Sequence, residues 1–249
     1  MLTRNTPHDP TSTVQEKNTP EDTIVSPEEI TIALGEHPPT PVQTLLSHAR
    51  RINYGQHDTL YHQGNRIDTV FFITAGLLKL VAYLPNGRAR IVRLHRPGSV
   101  LGLSGLRGQN HEHTASAITA VTALRLPISA VHHLREEDSE SYVSLIERWH
   151  DYLQDADKWI VQFSTGPIRG RVARLLSFLK DFEPDAAEGH IRLLTCEEMA
   201  SILGVTSESV SRILADFKRQ HILSHDDGNT NEVYEADVER LRHIADEDE

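Results

Sequence analysis

The apolar positions change their period twice along the chain. From Leu60 to Pro127 they fall in short runs separated by turn residues: TLYHQG, TVFFITAG, LLKLVAYL, RARIVRLH, SVLGL and SAITAVTALRLP. Runs of this length, rich in Val, Ile, Phe and Thr, predict a small antiparallel barrel or sandwich. The stretch LPNGRAR puts Asn86-Gly87 where a hairpin turn needs positive φ. Over 139–163 the period becomes helical. With Tyr142 as the first heptad position, Tyr142, Trp149, Ala156 and Phe163 occupy a, and Leu145, Tyr152 and Trp159 occupy d. Every position on this stripe is apolar or aromatic, which predicts a long helix that pairs with a partner helix, a second copy of the chain, in preference to packing on its own domain. Gly166-Pro167 ends it.

The third stretch is a series of shorter helices. IRGRVARLLSFLKDF repeats apolar residues at Val172, Leu175, Leu176 and Leu179; EPDAAEGH reads as a loop and IRLL as a short strand. In TCEEMASILGVTSESVSRILADFKRQHIL, Thr195 followed by Glu198 forms a capping box that opens one helix, Gly204 closes it, and Thr206 or Ser207 caps the next. Ala200, Gly204, Val210 and Ile213 have helix-turn-helix spacing: a small residue where the helices touch, glycine in the turn, and aliphatics that lock the second helix onto the first. In the last stretch, Asp227-Gly228 lies between short strands that read as a wing, followed by a C-terminal amphipathic helix.

If the second helix packs through Val210, Ile213, Leu214 and Phe217, its opposite face carries Glu208, Ser211, Arg212 and Arg219, with Thr206 and Ser207 at its start. Arg can donate two hydrogen bonds to guanine, Glu can accept from cytosine N4, and Ser can bond either way. A Glu–Arg pair four residues apart is also what a solvated helix face carries. Inside a helix-turn-helix the reading as a DNA-facing set prevails.

Composition changes this picture in three places. The net charge of −11 would argue against a polyanion partner, but residues 1–40 account for −5 and Asp246 to Glu249 for −4, leaving −2 for 41–245. Residues 1–40, with six prolines and no aromatic residue, read as a mobile acidic arm; within it SPEEITIAL has the signals of a short helix, Ser26 as cap with Pro27, Glu28 and Glu29 following, but a frayed leader is the preferred reading. Cys196 is the only cysteine, which excludes an internal disulfide and any iron–sulfur cluster held by several thiolates. No run is long and apolar enough to span a membrane, and MLTRNTPHDP has no signal-peptide core, so a cytoplasmic chain without a membrane partner is expected. The motifs GxxxxGK[ST], HExxH and GxSxG do not occur, so an enzyme is not expected. The rival to a DNA reader is a ligand-binding dimer whose helix-turn-helix serves protein contact.

From about Leu45 to Ala245 the order of parts resembles the Crp/Fnr superfamily of bacterial transcription regulators. TLYHQGNRIDTVFFITAGLLKL, HRPGSVLGLSGL and the helix-turn-helix stretch carry the likeness. The resemblance implies an α+β chain: a cyclic-nucleotide-binding-like antiparallel β-barrel at 41–138, a dimerisation helix at 139–163 and a winged helix-turn-helix at 164–245. It implies a homodimer in which each winged helix reads half of a palindrome in double-stranded DNA. Glu208, Ser211 and Arg212 match the E-x-x-S-R of the Fnr branch, which reads TTGAT-type half-sites. Without the cysteine cluster the chain is similar to the FixK or Dnr kind, an activator with redox or gas-linked control. In that family an exposed hairpin touches RNA polymerase; here Pro85, Asn86, Gly87 and Arg88 match it.

The barrel departs from the cyclic-AMP receptor pattern. Leu101-Gly102-Leu103-Ser104 offers no acid to a ribose, and HEHTASA offers no arginine to a cyclic phosphate, so tight cyclic-nucleotide binding is not expected. Other signals remain open. Cys196 in the first turn of a helix is a candidate redox trigger or simply an unreactive small residue. His111 and His113, two apart in a strand, are placed to face one metal or haem, although with 15 histidines such pairs arise by chance. The apolar barrel is also suited to a small ligand, or is a vestigial core, with activity set by expression level. No metal site is assigned.

Overall fold

A computed structural model of the chain describes residues 25–34, 46, 49–180, 190–225 and 233–247; in its longest helix, side chains at 140, 141, 144 and 148–155 lie outside the description. Among the described residues, the first half has eight strands: β1 Arg50–Tyr54, β2 Thr59–Tyr61, β3 Thr69–Ala75, β4 Leu78–Tyr83, β5 Ala89–His95, β6 Val100–Leu101, β7 Thr114–Ala117 and β8 Val121–Pro127. They pair antiparallel in two four-stranded sheets, ordered β1-β8-β3-β6 and β2-β7-β4-β5. This is the antiparallel domain expected from the short apolar runs.

TVFFITA explains how the sheets are covered. Phe71 and Ile73 pack with Leu78, Leu101, Ala115 and Ala117, residues of both sheets, whereas Val70 and Phe72 pack with Leu124, Val131, Leu134 and Leu145. The second set puts helices over the outer face of β3, so the strand is buried on both faces and its sequence is apolar without alternation. The β4–β5 hairpin turns at Gly87 with φ 78°, and the Asn86 side-chain oxygen accepts the Arg88 backbone N–H at 3.0 Å.

The mobile-arm expectation is corrected at its C-terminal part. Helix α1, Pro27–Leu34, is docked on the barrel, with Val25 and Ala33 buried against the outer face of β3. Ser26 and Glu29 form a reciprocal cap, at 3.2 Å and 2.9 Å, and Glu29 also pairs with Arg51 of β1. Proline and acid content averaged over forty residues hid a short stretch whose Val25, Ile30 and Ala33 supply one apolar stripe.

Helices α2, Ile128–Glu137, and α3, Ser139–Ser164, lead out of the sheets. Then follow α4 Ile168–Lys180, β9 His190–Arg192, α5 Cys196–Leu203, α6 Ser207–Arg219, β10 Leu223–His225, β11 Val233–Ala236 and α7 Val238–Glu247. The last three strands form a small antiparallel sheet ordered β10-β11-β9 beside α5 and α6, the expected winged arrangement. The Asp227-Gly228 turn and most of the EPDAAEGH loop lie outside the described residues. Among the described residues no helix is long and apolar enough to cross a membrane.

The described residues of the α3 heptad stripe pack within the chain. Tyr142 and Leu145 pack into the barrel's outer core; Trp159 and Phe163 pack into the cluster that contains the helix-turn-helix; Ala156 is half-buried. The side chains of Trp149 and Tyr152 lie outside the description. Packing against its own domains needs the same 3–4 spacing as a coiled coil, so the pattern could not tell the two apart. Among the described residues of α3, the large apolar side chains left exposed are on a neighbouring face, Val143 at 50%, Ile160 at 58% and Val161 at 60%.

Ala33→Asp is expected to place a carboxylate in the α1 contact and lower stability by about 2–4 kcal/mol, read from the urea midpoint. A frayed leader would give no shift.

Candidate nucleic-acid interface

The α5–α6 pair is built by its caps. The Thr195 hydroxyl accepts the Glu198 N–H at 3.2 Å and the Glu198 carboxylate accepts the Thr195 N–H at 3.1 Å. Gly204 ends α5 in the left-handed region, φ 68°, and its N–H returns to the Ala200 carbonyl at 2.8 Å. Thr206 caps α6, its hydroxyl accepting the Ser209 N–H at 3.3 Å. Met199, Ala200, Ile202 and Leu203 of α5 then meet Val210, Leu214 and Phe217 of α6, all buried, with Ile213 half-buried beside them.

Burial of that side leaves the other to solvent. Glu208, Ser211, Arg212 and Arg219 are exposed, as is Thr206, and Ser207 is half-exposed. Glu208, Ser211 and Arg212 sit on the N-terminal turns of α6, where a recognition helix meets base edges. The Glu208 carboxyl is held below the usual carboxylate range, first by its own backbone N–H, then by the Thr206 hydroxyl, with the Arg212 charge adding to both. It is therefore ionised and accepts hydrogen bonds only. Arg219 lies at the far end of α6, 76% exposed, with Nη2 3.0 Å from Asp216 Oδ1. Cys196, the first residue of α5, is half-buried and packed against the shared apolar cluster.

A cavity of about 580 Å³ lies between β5, the Val100–Ser104 segment, Gln109–His113 and α3. Arg90, Arg93, His95, His111, His113 and Trp159 are among its lining residues. His95 is pushed down to about 3, by burial first and then by the charges of Arg93 and His113; burial pushes His111 down to about 4, and lowers His113 as well. His111 and His113 do share the cavity, but the His111 ring is stacked on Tyr61, centroids 3.5 Å apart. Among the described residues no group of three or more His, Cys, Asp or Glu is placed to hold a metal ion. HEHTASA brings no arginine to this space, whereas β5 lines it with Arg90 and Arg93, the Arg90 guanidinium lying against Gly204 of the α5–α6 turn. A motif comparison confined to one strand does not count cations that arrive from another strand of the sheet.

The same β5 carries a contact that no sequence signal announced. Ser201 of α5 donates its hydroxyl to the Ala89 carbonyl and accepts the Ile91 N–H, both at 3.0 Å. Beside it Lys79 Nζ of β4 lies 2.7 Å from Glu198 Oε1. The helix-turn-helix is thereby docked on an edge strand whose other residues line the cavity.

Comparison with known proteins bears on both halves. Residues 51–138 match the model of the cyclic nucleotide-binding domain, and residues 170–244 that of the Crp-like helix-turn-helix domain. The chain is 28% identical over 173 residues to the transcriptional regulator LdrP of Thermus thermophilus, a match covering 69% of this chain and 86% of that one. It is also 28% identical over 198 residues to the cAMP-activated global transcriptional regulator Vfr of Pseudomonas aeruginosa, covering 76% and 92%. A solved CRP-family transcriptional regulator from Thermus thermophilus superposes with TM-score 0.68 at 26% identity, over 78% of this chain and 96% of that one. FixK2 from Bradyrhizobium japonicum shares the fold, with TM-score 0.67 at 23% identity over 79% and 96%.

The cavity histidines give stability a pH dependence. An unfolded histidine titrates near 6.5, against about 3 for folded His95 and about 4 for folded His111. Between those values the unfolded chain binds more protons. Stability is therefore full above pH 6.5 and falls as pH drops toward 4, by at most about 1.4 kcal/mol per pH unit for each histidine. Urea unfolding at stepped pH should show a shallower slope for His95→Gln than for the parent; equal slopes would contradict the assignment.

Proposed function

The chain belongs to the Crp/Fnr family of DNA-binding transcription regulators, and we propose that it acts in the cytoplasm as a homodimer on a palindrome of TTGAT-type half-sites. The observation that carries this reading is the exposed face of α6. Glu208, Ser211 and Arg212 stand together on its first turns, while Val210, Leu214 and Phe217 fix its opposite face in the core. In this reading Arg212 donates to guanine O6 and N7, Glu208 accepts from a cytosine amino group on the paired strand, and Ser211 meets the outer thymine. Two such helices related by a two-fold axis read half-sites one helical turn apart.

The exposed stripe on α3 supports the dimer. Val143 and Val161 lie about five helical turns apart, so they share one face, and Ile160 adjoins it. The hairpin residues Pro85, Asn86, Gly87 and Arg88 are all exposed beside Tyr83 and Leu84, which suits a surface that touches RNA polymerase in an activator. The relatives are regulators, and we assign no catalytic step. Arg93 suits the cavity to an anionic effector, whereas the Arg90 guanidinium lies against Gly204. Its Leu101–Ser104 turn offers no carboxylate to a ribose, so calorimetry is expected to show no tight binding of cyclic AMP.

Gel shifts with a TTGAT palindrome and a scrambled duplex test the reading. Arg212→Ala should lose about 1–3 kcal/mol of operator affinity and relax selectivity at the guanine. Equal affinity of the parent for both duplexes would favour a helix-turn-helix used in protein contact. Val161→Glu should shift the chain toward monomer in sedimentation and weaken operator binding with it.

A further inference from the structure

The recognition helix carries an acid where it can least use one. Asp216 lies one turn before Arg219 on α6, and a carboxylate there both repels phosphate and holds the arginine that would meet it. The two carboxylate oxygens are divided unequally. Oδ1 is 3.0 Å from Arg219 Nη2. Oδ2 accepts from Arg169 Nη1 and, at 2.9 Å, from Gln220 Nε2.

Arg169 is the better-anchored cation. Its other terminal nitrogen donates to Gln220 Oε1 at 3.2 Å, and its guanidinium lies 4.8 Å from the centroid of the buried Phe217 ring. It is 35% exposed, against 76% for Arg219. It also occupies the first turn of α4, where a positive charge opposes the helix dipole, so local helix chemistry does not explain it. The Asp216 carboxyl is held below its ordinary value chiefly by the hydrogen bond from Arg169, with Arg219 the smallest contributor.

We propose that Arg169 is a positioning residue for DNA binding, which occupies Asp216 and seats the C-terminal half of α6, so that Arg219 is released to a DNA phosphate. Arg169 itself touches no DNA in this scheme. The proposal rests on the reading of α6 as a recognition helix and adds a role to a residue outside it. Without Arg169, Asp216 keeps Arg219.

The test is operator affinity across a salt series for the parent, Arg169→Ala, Asp216→Asn, Arg219→Ala and the double variants. Arg169→Ala should weaken binding about tenfold and reduce the slope of log affinity against log salt by about one per half-site. Arg169→Ala with Asp216→Asn should recover the slope. Arg219→Ala should reduce the slope in the parent but not in the Arg169→Ala background, and Arg169→Lys should keep it. A lower melting temperature for Arg169→Ala, with no recovery of slope on adding Asp216→Asn, would overturn the proposal and leave only structural support. So would an unchanged slope. Equal binding to operator and scrambled duplex, with the Asp216 recovery intact, would overturn the half-site reading and sustain this one. A parent that binds neither duplex overturns both.

Discussion

Three aromatic rings at the end of the long helix set where everything after them stands. Trp159 and Phe163 of α3 and Phe178 of α4 meet edge to face, with centroids 4.7, 5.4 and 5.6 Å apart. Each such contact is worth about 0.5–1.5 kcal/mol beyond the area it buries. The cluster around them runs from Val81, Ile91 and Leu94 of the sheet to Val210 and Phe217 of the helix-turn-helix. The winged half therefore shares a core with the barrel half, and the direction in which α6 presents its polar face follows from how α3 ends. Trp159 also lines the cavity, so one side chain borders both that space and the joint.

Around that joint, arginines fill roles that a charge count assigns to DNA. The last carbonyls of a helix have no partner within it. Arg171 donates to Leu203 O at the end of α5, Arg240 to Gln220 O at the end of α6, and Arg174 to Gln162 O and Thr165 O near the end of α3 and to Ala245 O of α7, all between 2.7 and 2.9 Å. With Arg169 drawn to Asp216, much of the positive charge of this half is committed to holding helix ends in register. A domain near neutrality can then still offer a few exposed cations on one face, with Arg212 the best placed.

The legible parts of the site were those fixed by local chemistry. Thr195 with Glu198, Gly204, Thr206 and the buried Val210 form the motif that their spacing announced, because caps and left-handed turns are settled within four residues. The stripe from Tyr142 to Phe163 predicted the helix but not what its described residues pack against, since an amphipathic face records that something covers it and not what. The N-terminal segment failed for the opposite reason. Its composition was averaged over forty residues, which hid the apolar stripe by which Val25 to Leu34 docks. The lining of the cavity was illegible for a third. Arg90 and Arg93 come from a strand far in sequence from the one whose motif was compared, and pairing across a sheet is invisible along the chain.

The sequence by itself determined most of the elements, the caps of the helix-turn-helix, that motif itself and the face of α6 left to solvent, because each depends on residues a few positions apart. Only the tertiary structure decided which cations are held within the fold and which are available. That choice rests on contacts such as Arg169 with Asp216, Lys79 with Glu198 and Ser201 with the β5 backbone, whose partners lie 47 to 119 residues apart. Charge is carried by residue type, but whether it meets a carboxylate, a carbonyl or solvent is set by packing.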